Sequence, residues 1–121
     1  MIEWPYQRLE AWKLAHAYSL EVSGLARRLP PVERYALAMQ MVRAARSVKD
    51  NIAEGNSASG PGVNQRHVGI ALGSLGETDN HLLTARDEGY LTEEQCEEHR
   101  LKGWRLRRVL LALLRSLRDA R

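Results

Sequence analysis

Two pairs of side chains have the types and spacing of metal ligands, or of a nucleophile with its base. Glu77 and His81 are four residues apart, and Cys96 and His99 are three apart, so each pair shares one face of a helix. Helical bundles that hold two iron ions use Glu-x-x-His pairs on two helices, and that spacing does not occur in this sequence. Cys96 lies on an apolar helical face, where a thiolate is disfavoured. We therefore expect no metal, no cofactor and no catalytic residue, and the protein is predicted not to be an enzyme.

Glycine-rich loops can hold phosphate groups, and residues 55–62 (GNSASGPG) contain three glycines. This segment lacks the Lys-Ser/Thr ending of a phosphate-binding loop and follows a predicted helix rather than a strand. We interpret it as a connection between two helices, because it consists of turn-forming residues.

Positive charge is concentrated at the end of the chain. Residues 100–121 carry eight basic side chains and one acid, whereas residues 1–99 sum to −4, within a net charge of +3. This distribution indicates a basic surface for an anionic partner or self-association through opposite charges. Trp104 lies among the arginines, where it could stack on a base or a guanidinium, or anchor a protein interface. A solvated basic face is the third interpretation, and composition does not choose among them.

The candidate nucleic-acid-binding residues come from this last segment and from a second basic patch. Those of the last segment are Arg100, Arg105, Arg107, Arg108, Arg115 and Arg118. The second patch consists of Arg46 and Lys49. Binding through these side chains would be mostly electrostatic and would weaken as the salt concentration rises.

Four segments rich in good helix formers must position these side chains, since strand signals are nearly absent. The segments are residues 7–29, 33–55, 62–88 and 93–118. Pro30-Pro31 ends the first segment, Gly89 has the position of a left-handed C-cap, and Thr92 with Gln95 forms a capping box. Short connections make neighbouring helices antiparallel. The sequence therefore predicts an all-α, up-down-up-down four-helix bundle, as a single domain over residues 1–121.

Two polar stripes flank the predicted core of the second and third helices. The stripe on the second helix consists of Gln40, Arg43, Ser47, Asn51 and Glu54, and that on the third includes His67, Ser74, Glu77 and His81. If the stripes face each other, Arg43 would have Glu54 and Glu77 within reach. A partly buried charged network of this kind would fix the register of the two helices.

The first predicted helix carries more apolar surface than a monomeric bundle needs. Leu14, Tyr18 and Leu25 lie beyond one edge of its apolar seam, so the apolar arc exceeds half of the circumference. We predict that these three residues and Trp104 lie in an interface between subunits. A central, heavily covered helix within one subunit is the alternative.

Composition and chain start bear on location. Apolar residues make up 44% and charged residues 27%, which is typical of a soluble globular protein. The longest apolar run near the C-terminus, residues 109–114, is far shorter than the roughly 20 residues of a membrane span. The first residues lack the features of a secretory signal, and the single cysteine cannot form an internal disulfide. We expect a cytoplasmic protein that does not contact a membrane.

Several strings in the sequence resemble a known family. They are Glu33-Arg34-Tyr35, Asn-Ile-Ala-Glu-Gly at 51–55, Ala-Leu-Gly-Ser-Leu at 71–75, Gly89-Tyr90-Leu91, and Trp12 with Ala15-His16. Together they resemble the bacterial four-helix bundle protein family, which includes proteins encoded by intervening sequences of large-subunit ribosomal RNA genes. The resemblance extends from about Tyr6 to Leu117.

The resemblance implies a four-helix bundle that assembles as a homo-oligomer, in a ring of five subunits. It also implies a link to nucleic acid, because related bundle proteins act beside reverse transcriptases in diversity-generating retroelements. The expected partners are other copies of the chain, RNA or DNA, and a reverse transcriptase. For individual residues the resemblance implies only structural roles, and these fall on Gln40, Arg43, Ser47, Asn51, Glu54, Gly55, Ser74 and Glu77. The expected function is nucleic-acid binding, and the alternative is a structural module whose basic face serves self-assembly.

Overall fold

The structure, a computed structural model, describes residues 1–120. Within that range the chain forms four α-helices and two short 3-10 turns, and it contains no strand. The helices are α1 (Glu10–Arg27), α2 (Leu37–Ser57), α3 (Pro61–Asp87) and α4 (Glu93–Asp119), and the turns are Pro5–Arg8 and Pro31–Glu33. The predicted all-α fold is confirmed.

Each helix packs against its neighbours in the sequence, and α4 closes the bundle against α1. Contacts between α1 and α3 and between α2 and α4 are absent from the described residues, so these pairs lie at opposite corners. Arg100 near the start of α4 meets Asp79 late in α3, whereas Leu117 near the end of α4 meets Gln65 early in α3. The two helices therefore run in opposite directions, as the predicted up-down-up-down topology requires.

The first two helices begin later than the sequence predicts. Helix α1 begins at Glu10 rather than at residue 7, because Leu9 has an extended backbone with φ −68° and ψ 129°. Helix α2 begins at Leu37 rather than at residue 33. The Glu33 side chain accepts a hydrogen bond from the Leu37 N–H at 3.3 Å, and so satisfies one of the free donors of the α2 N-terminus.

The predicted signals between α3 and α4 are present in the structure. Gly89 has a positive φ of 84°, and the Tyr90 N–H donates to the Ala85 carbonyl at 2.8 Å, so α3 ends in a Schellman-type cap. Thr92 Oγ1 accepts a hydrogen bond from the Gln95 N–H at 3.1 Å, and Gln95 Oε1 accepts one from the Thr92 N–H at 2.9 Å. The predicted capping box therefore starts α4.

The connection between α2 and α3 is shorter than the predicted loop over residues 55–62. Helix α2 continues to Ser57 and α3 begins at Pro61, so Gly55 lies inside a helix. A Cβ at Gly55 would lie 2.7 Å from the Cβ of His67 and 2.8 Å from Oδ1 of Asn64. Gly55 therefore permits a close approach of the two helices, which its turn-forming neighbours in the sequence did not indicate.

The core consists of apolar residues at helical spacing, and it also contains part of the predicted interface. On α2 the buried seam consists of Leu37, Met41, Ala45, Val48 and Ile52. Tyr18 and Leu25 on α1 are only 3% and 5% exposed, so their assignment to a subunit interface was wrong. The Tyr18 ring fits inside the protomer because it packs on Gly103 of α4, where a Cβ would lie 3.1 Å from Tyr18 Oη. Of the three α1 residues assigned to the interface, only Leu14 remains exposed.

None of the helices over residues 1–120 combines the length and the apolar character needed to span a membrane.

Candidate nucleic-acid interface

Helix α4 presents five exposed arginines, which we call the α4 basic face. Leu106 and Leu110 are completely buried and fix the inner side of the helix. The arginines of this part of the helix lie on its other sides and are exposed. The exposed arginines are Arg105, Arg107, Arg108, Arg115 and Arg118. None of them forms an ion pair with a carboxylate of the described residues. Their charges span about 20 Å along the helix.

Three of these arginines border a shallow groove of about 530 Å³. Arg105, Arg108 and Arg115 lie around it, the apolar side chains of α4 form much of its floor, and Glu10 of α1 is the carboxylate at its edge. Cations beside an apolar strip suit a sugar-phosphate backbone, since guanidinium groups bind phosphate oxygens in a bidentate manner.

Trp104 is 59% exposed at one end of the α4 basic face. The Cζ atom of Arg107 lies 5.1 Å from the centroid of the Trp104 ring, which is within the range of a cation–π contact. On the other side, Trp104 and Leu101 border a groove of about 450 Å³ between α3 and α4, whose lining also includes the paired side chains of Asp79 and Arg100. We call this the α3–α4 groove, and Leu72 and Gly76 of α3 contribute to it.

Arg100 does not belong to the exposed cations, although the sequence placed it with them. Its Nε and Nη2 atoms lie 2.9 and 3.1 Å from the two carboxylate oxygens of Asp79, and its Nη1 lies 3.3 Å from Glu97. The hydrogen bond to Asp79 raises the pKa of Arg100. This bidentate pair joins α3 to α4, and we remove Arg100 from the candidate binding residues.

The second basic patch keeps one of its two members. Lys49 Nζ lies 3.0 Å from Asp50, and the Lys49 side chain is only 23% exposed. Arg46 is exposed and makes no ion pair within residues 1–120. Because α2 and α4 occupy opposite corners, Arg46 lies on a different side of the bundle from the α4 basic face.

The structure brings together the centre of the polar stripes on α2 and α3. Ser47 Oγ and Ser74 Oγ are 2.8 Å apart, and Asn51 Nδ2 donates to both the carbonyl and the Oγ of Ser47. His67 Nδ1 lies 3.0 Å from Asn51 Oδ1, so the chain of hydrogen bonds continues to α3. These bonds fix the register of the two helices.

The structure shows no ion pair between Arg43 and either Glu54 or Glu77, which answers the question that the sequence left open. Arg43 is exposed, and the two carboxylates lie beside histidines instead. His81 Nε2 is 3.1 Å from Glu77 Oε2, and His67 Nε2 is 3.9 Å from Glu54 Oε1. Gln40 is also exposed and lies outside the hydrogen-bonded part of the stripe.

Among the remaining interface candidates, Leu14 is 39% exposed on α1, and Trp104 is exposed as described above.

Cys96 is buried, and its Sγ lies 3.6 Å from the Leu82 carbonyl. Burial raises the pKa of its thiol. No group of three His, Cys, Asp or Glu side chains within residues 1–120 is placed to hold a metal ion.

Sequence reasoning did not indicate a second cluster of arginines, on α1, the α1–α2 connection and α2. Arg27, Arg34, Arg43 and Arg46 border a common concavity. Two features of the sequence could have indicated this cluster. Arginines lie on both sides of Pro30-Pro31, and Arg43 and Arg46 are three residues apart on one helix.

Comparison with known proteins identified one family and one similar fold. The model of a family described as 23S rRNA-intervening sequence protein matches residues 7–112. The fold is similar to the crystal structure of a protein with unknown function from the S23 ribosomal protein family from Bacteroides thetaiotaomicron. The TM-score is 0.81 at 20% identity, over 87% of this chain and 95% of that chain. At this identity the likeness concerns the fold alone. No curated protein matches the chain.

Proposed function

The chain belongs to the 23S rRNA-intervening sequence protein family, and we propose that it acts as a non-enzymatic, self-associating bundle that binds the backbone of RNA or DNA. The observation that carries this proposal is the α4 basic face. Its five exposed arginines have no carboxylate partner among the described residues, whereas Arg100 and Lys102 on the same helix do. Cations left without internal partners are available for phosphates.

Binding of this kind does not read the nucleotide sequence. Each phosphate neutralised by an arginine releases counterions, so affinity falls steeply as salt rises. Five phosphate contacts correspond to a slope of about −4.5 in log K against log salt for a duplex.

Self-association is supported by the α3–α4 groove. Leu101 and Trp104 remain exposed on one side of it. On α3, Gly69, Gly73 and Gly76 are exposed, and a Cβ at any of them would meet no atom within 4 Å. Glycines on an open helix face cost helix stability, and they permit another helix to approach closely. We propose that a second copy packs on this surface and that the assembly is a pentamer.

The test measures fluorescence anisotropy of two labelled RNA molecules of unrelated sequence over a range of salt concentrations. Arg108→Glu and Arg115→Glu should each weaken both complexes alike, by about tenfold at moderate salt, and each should reduce the salt slope by about 1. Arg66→Glu is the matched control. It makes the same change of charge at an exposed arginine on α3 and should leave binding nearly unchanged.

RNA binding that is unchanged by the charge reversals and by the salt concentration would contradict the proposed interface.

A second candidate function is a structural module, in which the α4 basic face docks on an acidic surface of a neighbouring subunit. Within one subunit, Lys102 of α4 already forms an ion pair of this kind with Glu21 of α1, at 2.8 Å. An assembly that forms normally but binds no RNA would favour this candidate.

A further inference from the structure

A second concavity lies at the end of the bundle where α1 passes into α2. It has a volume of about 640 Å³ and is bordered by the last turn of α1, the Pro30-Pro31 connection and the first half of α2. We call it the α1–α2 pocket. Its volume falls within the range of about 300–1,000 Å³ that is typical of small-molecule sites.

The charge at this pocket has a single sign. Arg27, Arg34, Arg43 and Arg46 are all exposed at its border, and no aspartate or glutamate of the described residues lines it. None of the four arginines forms an ion pair within residues 1–120. Four like charges around one concavity repel one another, so an anion bound among them relieves an unfavourable arrangement.

The acidic residue next to Arg34 in the sequence is engaged elsewhere. Glu33 Oε1 accepts a hydrogen bond from the Leu37 N–H at 3.3 Å. Glu33 Oε2 accepts one from the Tyr90 hydroxyl at 2.8 Å, across the bundle. The carboxylate is therefore used by the fold rather than by the arginines of the pocket.

The pocket also has an apolar and aromatic part that a bare phosphate ion does not need. Leu29 and Val42 contribute apolar surface to its lining, and Met39 is exposed at its border. Tyr35 is 79% exposed, so the fold leaves most of its ring open to a ligand. An exposed aromatic ring beside cations is the arrangement on which nucleobases stack while their phosphates are bound.

We propose that the α1–α2 pocket binds one nucleotide unit, with the base against Tyr35 and the phosphate among the arginines. Guanidinium groups match phosphate oxygens in a bidentate manner, and the exposed ring accepts any base. The unit is either a free mononucleotide or an unpaired nucleotide of an RNA or DNA strand. The second of these rests on the proposed function, and the first does not.

The test titrates the full-length protein with adenosine 5′-monophosphate by isothermal calorimetry at low salt, with adenosine and inorganic phosphate as partial ligands. The monophosphate should bind at least about tenfold more tightly than either partial ligand. Tyr35→Ala should weaken it roughly tenfold through loss of stacking, whereas Tyr35→Phe should bind like the wild type. Because Tyr35 is exposed, both variants should unfold at the wild-type temperature.

Charge is tested separately from stacking. Arg34→Gln and Arg43→Gln should each weaken the monophosphate about tenfold, and Arg66→Gln, at an exposed arginine of α3, is the matched control. Arg108→Glu on the α4 basic face should leave monophosphate binding unchanged. Failure of the pocket and failure of the proposed function are thereby distinguished.

The source of the nucleotide follows from competition. If the pocket takes an unpaired nucleotide of a strand, a short single-stranded RNA should displace the monophosphate at far lower concentration than a blunt duplex does. If the pocket takes a free nucleotide, the single-stranded RNA should compete no better than the monophosphate itself. No binding of monophosphate or single strand at millimolar concentration would overturn the proposal. So would wild-type affinity in the Tyr35→Ala and Arg43→Gln variants. If a second copy of the chain covers the pocket instead, the protein should bind no monophosphate, and Arg34→Gln should lower the mass of the assembly. That result would also overturn the proposal.

Discussion

Arginines with similar sequence surroundings have different roles, and the difference depends on which residue faces each of them. Arg100 and Arg107 are both on α4, seven residues apart. Arg100 meets Asp79 across the α3–α4 contact, whereas Arg107 meets only the ring of Trp104. A bidentate carboxylate pair neutralises a guanidinium and uses two of its five N–H donors, whereas a cation–π contact leaves the donors free. Only the second arrangement supports phosphate binding.

Tyr18 illustrates a buried polar group without a partner. Its hydroxyl is inaccessible and makes no hydrogen bond within the described residues. Burial raises the pKa of Tyr18 above its usual value of 10.0, and the charges of Asp79 and Glu21 raise it further. The neutral form is therefore required in the folded protein, and the unfolded chain deprotonates first as pH increases.

This asymmetry predicts how stability depends on alkaline pH. Below about pH 10 Tyr18 is neutral in both states, so its titration has no effect. Above about pH 10 the unfolded state loses a proton that the folded state keeps, and stability falls by up to about 1.4 kcal/mol per pH unit. Urea unfolding of Tyr18→Phe between about pH 8 and 11.5 should show a shallower decline, and stability at pH 8 should be equal or higher.

Tyr35→Phe is the control, because it removes the hydroxyl of an exposed tyrosine rather than of a buried one. That variant should retain the steep decline that comes from Tyr18. Parallel declines in the wild type and Tyr18→Phe would contradict the assignment.

At the scale of the elements, glycine has two opposite roles in α2 and α3. Gly55 lies where the two helices are closest, and any side chain there would overlap His67 and Asn64. Gly73 lies on the open face of α3, where a Cβ would meet nothing. The first glycine contributes to the bundle by being small, whereas the second costs helix stability within the protomer.

A matched pair of substitutions tests this difference. Gly55→Ala should destabilise the protein by about 2 kcal/mol, since overpacking forces the helices apart. Gly73→Ala should stabilise the isolated protomer by up to about 1 kcal/mol. Chemical denaturation at a concentration low enough to keep the protein monomeric measures both. Equal effects of the same sign would mean that the close approach at Gly55 does not limit packing.

The whole molecule presents different surfaces on different sides. The α4 basic face and the α1–α2 pocket carry unpaired cations, whereas the α3–α4 groove has two large apolar side chains, Leu101 and Trp104, exposed at its edge. Tryptophan is enriched at the centre of protein interfaces. Because Tyr18 and Leu25 of α1 are buried within the protomer, they do not support self-association. The proposed contact between copies lies at the α3–α4 groove instead.

The mass of the assembly tests this groove. Five copies of 13.7 kDa correspond to about 69 kDa, and light scattering of the wild type should give that value at micromolar concentration. Trp104→Ala should weaken assembly by about 2 kcal/mol or more and shift the mass toward smaller species. Trp4→Ala, at a similarly exposed tryptophan outside the groove, should keep the wild-type mass. A wild-type particle of 13.7 kDa at all concentrations would exclude self-association.

Sequence periodicity was sufficient for the helices, for most of the buried seams and for the signals that end α3 and start α4. Those features are local: a capping box lies within four residues, and a buried face repeats every three or four. The same spacing placed Tyr18 and Leu25 at the edge of the apolar seam of α1. It could not indicate that Gly103 on α4 leaves space for the Tyr18 ring.

Tertiary structure alone decided which charges are paired and which are open. Arg100 finds Asp79, and Lys102 finds Glu21, because α3 and α1 bring those carboxylates to α4 from distant parts of the chain. Arg43 is exposed, and the carboxylates of Glu54 and Glu77 lie beside His67 and His81 instead. A helical pattern tells which side of a helix a residue occupies. Which residue faces it across the bundle depends on how the helices pack. That facing residue decides whether a charged side chain is paired within the protein or free to bind a partner.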